Sequence, residues 1–293
     1  MSHDHTHHHS GQNLKLAFFL NLIFTVIELI GGLYVNSVAI ISDAVHDLGD
    51  SLSLGTAWYL DNKSKKHADQ RFTFGYARFS LLGALINSVV LIAGSIYVIY
   101  EAVGRILNPE HTDALGMVGF AVVGVLVNGY AAWKLSGGKS MNEQVVSWHL
   151  LEDVLGWVAV LIVAIVLLFK DIHYLDPALS ILITIYILWN VVRRLRKTLF
   201  IFLQGAPKNI DLRSIEKSIT NIDQVDSLHH MHIWSLEGEH NVFTTHVKLN
   251  PIQKLEELAN VKQHIKDILQ EYSFEHFTIE TELHDENCAL KKD

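Results

Sequence analysis

The chain has 293 residues, a formal net charge of −8 and a single cysteine. Hydrophobic residues make up 49% and charged residues 18%, and the mean hydropathy of +0.23 argues against a wholly soluble protein. The acidic balance gives no support for nucleic-acid binding, and Cys288 alone excludes an internal disulfide framework or a Cys₄ zinc site within one chain.

Apolar residues concentrate ahead of residue 200 and charged ones behind it, so an α-helical polytopic membrane domain is expected before a small soluble α/β domain. The expected divisions are a histidine-rich disordered tail (1–13), a six-helix transmembrane domain (14–203) and a cytoplasmic domain (204–293). The opening MSHDHTHHHS admits two readings, a metal-collecting tail and a disordered terminus without a role. No secretory signal is expected, because no small-residue cleavage site follows the first apolar run.

The first membrane helix is expected over 14–35, with Asn21 and Glu28 turned toward the bundle interior rather than lipid. The second covers 38–60. A basic loop, 61–75, carries Lys63, Lys65, Lys66 and Arg71. The third helix covers 76–100, and Asn108-Pro109 marks a turn. The fourth, 114–134, carries Asn128; a glycine-rich loop leads to the fifth, 142–169. The sixth runs over 177–193, with Pro177 suited to a first helical turn. Lys15, the 61–75 loop, Lys134, Lys139 and the basic run 193–197 fall on one face of such a bundle, leaving little but Arg105 and Lys170 on the other. The positive-inside rule then makes both termini cytoplasmic.

Gly205-Ala206-Pro207 ends the membrane domain. Leu212, Ile215, Ile219 and Ile222 repeat with a helical period. Two strands, 225–236 and 241–249, flank Glu237-Gly238-Glu239. Leu258, Val261, Ile265 and Ile268 share a face of a helix over 251–271, and a third strand is read over 274–283. The order is α-β-β-α-β.

Two motifs stand out. The second helix holds His46 and Asp50, and the fifth holds His149 and Asp153. Each pair is spaced i,i+4, one turn apart on one helix face. Facing helices would bring two imidazoles and two carboxylates together, a four-ligand N/O set suited to a tetrahedral, zinc-like ion. His46 sits about 12 Å into its helix. An aspartate at mid-membrane costs roughly 2.5–3.5 kcal/mol, which a divalent cation or exchanged protons would offset. A lone membrane histidine reads as interhelical glue; two such pairs read as an ion site. Asp43 and Asp47, beside the first motif, stand as either pathway or structural groups.

These residues resemble the cation diffusion facilitator family. The resemblance rests on S-D-A-x-H-D-L-x-D from Ser42, H-x-x-E-D from His149, T-F-G-Y from Thr73, Asp176-Pro177 and H-M-H-I-W-S from His230, and it covers nearly the whole chain after the tail. It implies a homodimeric, zinc-type antiporter that moves Zn²⁺ from the cytoplasm in exchange for protons, with His46, Asp50, His149 and Asp153 at the transport site. Cd²⁺ and Co²⁺ could share that site. Some members hold a second metal through histidines around T-F-G; here Phe72 and Tyr76 occupy those places, leaving Asp69 and His67. Many also carry an acidic residue shortly after T-F-G-x-x-R, where this chain has Arg78-Phe79-Ser80.

In relatives the soluble domain dimerises and often binds metal between subunits. By position in the motif, His229 and His246 match frequent ligands, with Glu280 or Glu282 as carboxylate partners. The alternative is solvated surface histidines. His284, Asp285 and Cys288 form a further candidate set on the C-terminal arm.

Two other functional classes fit the residues less well. A membrane metalloenzyme is disfavoured because H-E-x-x-H is absent and an all-protein quartet leaves no water position. A membrane-anchored sensor would need only the soluble domain. The expectation is a transporter, not an enzyme, and the compact loops lean toward a bacterial inner membrane.

Overall fold

The computed structural model describes the backbone of residues 7–64, 68–136, 141–170 and 172–290, and side chains from residue 18 onward apart from 57, 58, 60–67, 134–150, 171 and 291–293. The first six residues of the histidine tail, and His67, lie outside the described residues. The chain forms two compact units, one built from Met1–Lys66 and Leu82–Leu195, the other from His67–Leu81 and Arg196–Asp293.

The first unit is helical. Its elements are α1 (His7–Tyr34), α2 (Val38–Ser64), α3 (Phe79–Leu107), α4 (Ala114–Ser136), α5 (Met141–Phe169) and the greater part of α6 (Leu175–Phe202). Among the described residues, four helices carry stretches long and apolar enough to cross a bilayer: Phe79–Leu107, Ala114–Trp133, Leu151–Phe169 and Leu175–Phe202. Within the described residues the apolar stretch of α1 is Phe18–Tyr34. α2 is interrupted by Asp43, His46, Asp47 and Asp50, which lower its hydropathy.

Two helices run past the ends expected from the sequence. α3 starts at Phe79, later than expected, and continues to Leu107. Arg105 Nε donates to Glu101 Oε1 at 2.9 Å, an i,i+4 pair that supports the added turn. α6 continues through the basic run to Phe202 because Arg and Lys are good helix formers. It stops where Gln204 turns left-handed (φ 61) and the Gly205 amide closes onto Phe200 O at 2.8 Å.

α1 packs on α2, and α4 on α5. Val35, Ala39, Ile40, Met117, Ala121, Trp157, Val160 and Ala164 form the core shared by α2, α4 and α5 with the end of the first hairpin. Val38 and Ile41 meet Val98 and Ala102 of α3, while Leu91 packs with Ile187 and Val191 of α6. Gly124 sets the α4–α5 approach: a Cβ there would lie 2.1 Å from the Trp157 ring. Small residues permit such backbone closeness between membrane helices.

The second unit is an α-β-β-α-β domain: α7 (Leu212–Thr220), β1 (Val225–Ser235), β2 (Asn241–Leu249), α8 (Leu255–Gln270) and β3 (His276–Glu282). The sheet order is β1-β2-β3. β1 and β2 pair antiparallel; β2 and β3 pair parallel, which requires a crossover, supplied by α8. Asp211 caps α7 by accepting the Arg213 amide. Ile215, Ile219, Val261, Ile265 and Leu269 of the helices bury against Ile233, Phe243, Val247 and Leu249 of the sheet. The opposite sheet face is left to polar side chains.

Residues 67–81 belong to this unit. Asp69 Oδ1 accepts the Arg71 and Phe72 amides, each at 2.8 Å, and Asp69 Oδ2 accepts the Tyr76 hydroxyl at 2.6 Å. This bond to the carboxylate raises the Tyr76 phenol above its ordinary value. Phe72, Tyr76 and Phe79 stack together, with Phe72–Tyr76 centroids 4.7 Å apart. The loop rests on the domain through Phe74 against the His276 ring and Arg78 Nε to Leu236 O at 3.3 Å.

Candidate metal sites

The placement of the first motif begins at the start of α2. Asn36 turns the chain with φ 56. Asp176, from the first turn of α6, then caps α2 together with the local Ser37, whose Oγ accepts the Ile40 amide at 3.3 Å. Its carboxylate accepts Ser37 Oγ at 2.5 Å, Val38 N at 2.7 Å and Ala39 N at 3.3 Å. The free amides of a helix N-terminus carry partial positive charge, so a carboxylate suits them. The buried carboxylate is thereby engaged by three donors. Further along, Ser42 Oγ meets Thr184 Oγ1 at 2.8 Å. Asn21 of α1 donates to Asp47 O and to Ser51 Oγ, both at 3.0 Å. α2 is therefore held by α6 on one side and α1 on the other, across the motif.

On that helix His46 Nε2 lies 3.8 Å from Asp50 Oδ2 and 3.9 Å from Asp153 Oδ1 of α5. The three side chains are 19%, 21% and 12% exposed. α5 carries His149 one turn before Asp153; its side chain lies outside the described residues. Metal–ligand bonds near 2.1 Å set tetrahedral ligand atoms about 3.4 Å apart, so a small inward movement of these three groups would meet the requirement. Asp43 and Asp47 are both buried on α2. Gly156 of α5 faces Asp43: a Cβ there would lie 3.9 Å from Asp43 Oδ1.

The polar face of the soluble sheet holds a second cluster. β1 pairs His229 with His246, and β2 pairs His246 with Glu280. The register then slips between His229 and His232. His230 takes up the slip at φ 48, a bulge of the kind that re-aims side chains. Glu282 Oε1 bridges His229 Nε2 at 3.1 Å and His246 Nδ1 at 2.8 Å. The arm after β3 brings Cys288 Sγ to 3.7 Å from His246 Nδ1. One ligand atom from each of His229, His246, Glu282 and Cys288 falls within 4.8 Å of the others.

That donor set, two imidazoles, a carboxylate and a thiol, is chemically suited to zinc. Burial works to raise the Glu282 carboxyl, and hydrogen bonds from His246, Cys288 and His229 outweigh it, holding the group below its ordinary value. Burial raises the Cys288 thiol, and the adjacent Glu282 adds to this. Glu280 stands outside the group of four; it is 65% exposed, with Oε2 3.4 Å from His246 Nε2. His284 and Asp285 are exposed and are not in the group, so of the expected C-terminal set the arm delivers Cys288 alone. Asp69, the residue left for a loop metal, is occupied by two amides and the Tyr76 hydroxyl.

Comparison with known proteins assigns the fold and its two halves. The family model described as the cation efflux transmembrane domain matches residues 14–203, and that for the cation efflux protein cytoplasmic domain matches 207–284. The chain belongs to the cation efflux family. This is the cation diffusion facilitator family of the sequence resemblance, and the chain is a zinc-type member and an integral membrane protein. Among cation efflux relatives, the cadmium, cobalt and zinc/H⁺-K⁺ antiporter of Bacillus subtilis is 33% identical over 99% of this chain and 95% of its own. The zinc transporter ZitB of Pectobacterium atrosepticum is 32% identical over 100% and 93%. The metal cation efflux system protein CzcD of Cupriavidus metallidurans is 35% identical over 97% and 91%. The family consists of transporters, and nothing in the comparisons indicates an enzymatic activity.

Sequence reasoning did not find the Asp176 cap or the inclusion of Cys288 with the sheet histidines. Asp176-Pro177 was visible as a motif, but its partner is at the far end of the bundle sequence. Cys288 carried a signal in being the single cysteine.

Proposed function

We propose that this cation efflux protein is a proton-coupled antiporter that exports divalent transition-metal cations, Zn²⁺ foremost with Cd²⁺ and Co²⁺ able to share the site, from the cytoplasm by alternating access. The observation that carries the reading is the convergence of His46, Asp50 and Asp153 from two helices of the membrane unit at 3.8–3.9 Å. His149, one turn from Asp153, completes the transport quartet. The names of the relatives, antiporter and zinc transporter, support the cargo and the exchange.

The chemistry follows from the ligands. Zn²⁺ needs neutral imidazole and ionised carboxylate, so metal and protons compete for the same groups. Imidazole changes charge near physiological pH. Facing the cytoplasm, metal displaces protons; facing the more acidic side, protons displace metal. Two imidazoles favour Zn²⁺ over Mg²⁺ and Ca²⁺, which prefer oxygen. Rocking of helices about the site would provide the alternation.

In this reading α1 and α2 join the four apolar helices as spans, making six, with both termini cytoplasmic in a bacterial inner membrane. The membrane domain covers 14–203 and the cytoplasmic domain 204–293. The cytoplasmic domain pairs two copies into a homodimer, and His229, His246, Glu282 and Cys288 hold a resident Zn²⁺ there. Bound metal would tie β1, β2, β3 and the C-terminal arm together.

The test is zinc flux into proteoliposomes, with and without a pH gradient, for the parent, Asp50→Ala and Asp153→Ala. The parent should move zinc faster with the gradient, and both folded variants should be inert. Variants that transport as well as the parent would remove the quartet from the mechanism.

A further inference from the structure

Glu28 sits on α1 inside the membrane unit, 1% exposed, and takes no part in the ligand quartet. Neither of its carboxylate oxygens has a hydrogen-bond partner among the described residues. The titratable groups that act on it most strongly are acids: Asp47 and Asp43 of α2 and Asp153 of α5. With Phe24 and Ile27 of α1, Gly119 and Phe120 of α4 and Trp157 of α5, it lines a largely apolar cavity of about 500 Å³. The Trp157 Nε1 in that lining is likewise buried without a partner.

An ionised carboxylate in such a place lacks donors and faces like charges, both of which disfavour it. A protonated one removes the charge and gains a donor that can be offered to a neighbouring carboxyl. Arrival of a divalent cation at His46, Asp50 and Asp153 reverses the local balance: two positive charges favour the ionised form.

We infer that Glu28 is a proton-carrying group of the antiport, distinct from the cargo ligands, which holds one exchanged proton when metal is absent and releases it when metal binds. This rests on the antiport reading above. The proton leaves the Glu28 carboxyl for water as Zn²⁺ enters and returns as Zn²⁺ departs, so charge moves in opposite directions across one shared set of acids.

The experiment compares parent, Glu28→Gln and Glu28→Asp as full-length protein. Calorimetric zinc titrations in buffers of different ionisation enthalpy count protons released per metal. Glu28→Gln should release about one proton fewer, bind zinc within about threefold of the parent affinity, and lose gradient-driven acceleration in proteoliposomes. Glu28→Asp should restore proton release. The infrared carbonyl band of a protonated carboxyl should vanish from the parent on zinc saturation and be missing in Glu28→Gln. If Glu28→Gln does not fold, the parent and Glu28→Asp spectra decide: a band unmoved by zinc overturns the assignment. Equal proton release in Glu28→Gln and parent overturns it too, as does loss of zinc binding by folded Glu28→Gln, which would make Glu28 part of the cargo site. A parent with no response to the gradient fails at the antiport reading itself; a parent that responds, with Glu28→Gln responding equally, fails at Glu28 alone.

Discussion

Asp176 Oδ2 accepts the backbone amide of Val38 at 2.7 Å across 138 residues of sequence. The start of the helix that bears His46 is thus set by a side chain from the last helix of the bundle. Removing the cap in Asp176→Ala should cost about 1–3 kcal/mol of stability and slow zinc flux, because α2 loses its fixed origin. Asp176→Asn keeps one acceptor oxygen and should lose less. Thermal unfolding in detergent together with proteoliposome flux checks both; an unfolding midpoint unchanged in Asp176→Ala would show that water or Ser37 replaces the cap.

The α4–α5 contact is similarly exposed to a single change. A Cβ at Gly124 would meet three Trp157 ring atoms at 2.1–2.6 Å. Gly124→Ala should therefore push the helices apart and destabilise by about 1–3 kcal/mol. Gly104→Ala, where nothing lies within 4 Å, is the matched control and should leave the unfolding midpoint in place.

Cys288 offers a direct report on the soluble cluster. Its thiol is raised by burial, which keeps it mostly protonated and slow toward alkylating agents. Zinc held with His229, His246 and Glu282 should slow alkylation a further tenfold or so. The measurement belongs in an Asp50→Ala/Asp153→Ala background, so that the membrane quartet does not compete. His246→Ala should abolish protection; protection that persists without His246 would mean the thiol is shielded by something other than this cluster.

Glu237 raises the His240 pKa through their hydrogen bond, with burial acting weakly against it. A histidine raised in the folded state stabilises fully below its unfolded value of about 6.5 and loses that contribution as pH climbs through the higher folded value. The His240 side chain is 51% exposed, so screening keeps the effect below about 1 kcal/mol. An NMR titration of His240 should show its midpoint fall in Glu237→Gln, and the small stability loss between pH 6 and pH 8.5 should shrink with it. An unmoved midpoint would assign the shift elsewhere.

Much of the fold was legible because its signals are local. Apolar runs marked the helices, the 3.6 and 2.0 periods marked α7, α8 and the strands, and i,i+4 spacing put His46 with Asp50. The overruns of α3 and α6 were not legible from hydropathy. Arg105 with Glu101, and the basic run after Val192, favour helix without being apolar. Asn21 and Glu28 were readable as interior groups from the cost of exposing them to lipid, but their separate roles were not. Asn21 ties α1 to α2, whereas Glu28 is buried in an apolar lining near the acids of α2 and α5. Choosing Glu282 over Glu280 needed the turn of β3, since both lie on one face of an alternating strand. The arrival of Cys288 depended on an arm folding back over the sheet, which no spacing encodes.

The parallel pairing of β2 with β3 has a consequence for damage to the chain. β2 is hydrogen-bonded on one edge by β1 and on the other by a strand that arrives only after α8 has crossed over. A chain cleaved ahead of His276 would leave that second edge of β2 bare, beside Val242 and Val247. Such an edge is a template for pairing with another molecule. The last strand thus exchanges the largely buried edge of β2 for its own more exposed one, and a chain that loses it would be more prone to self-association.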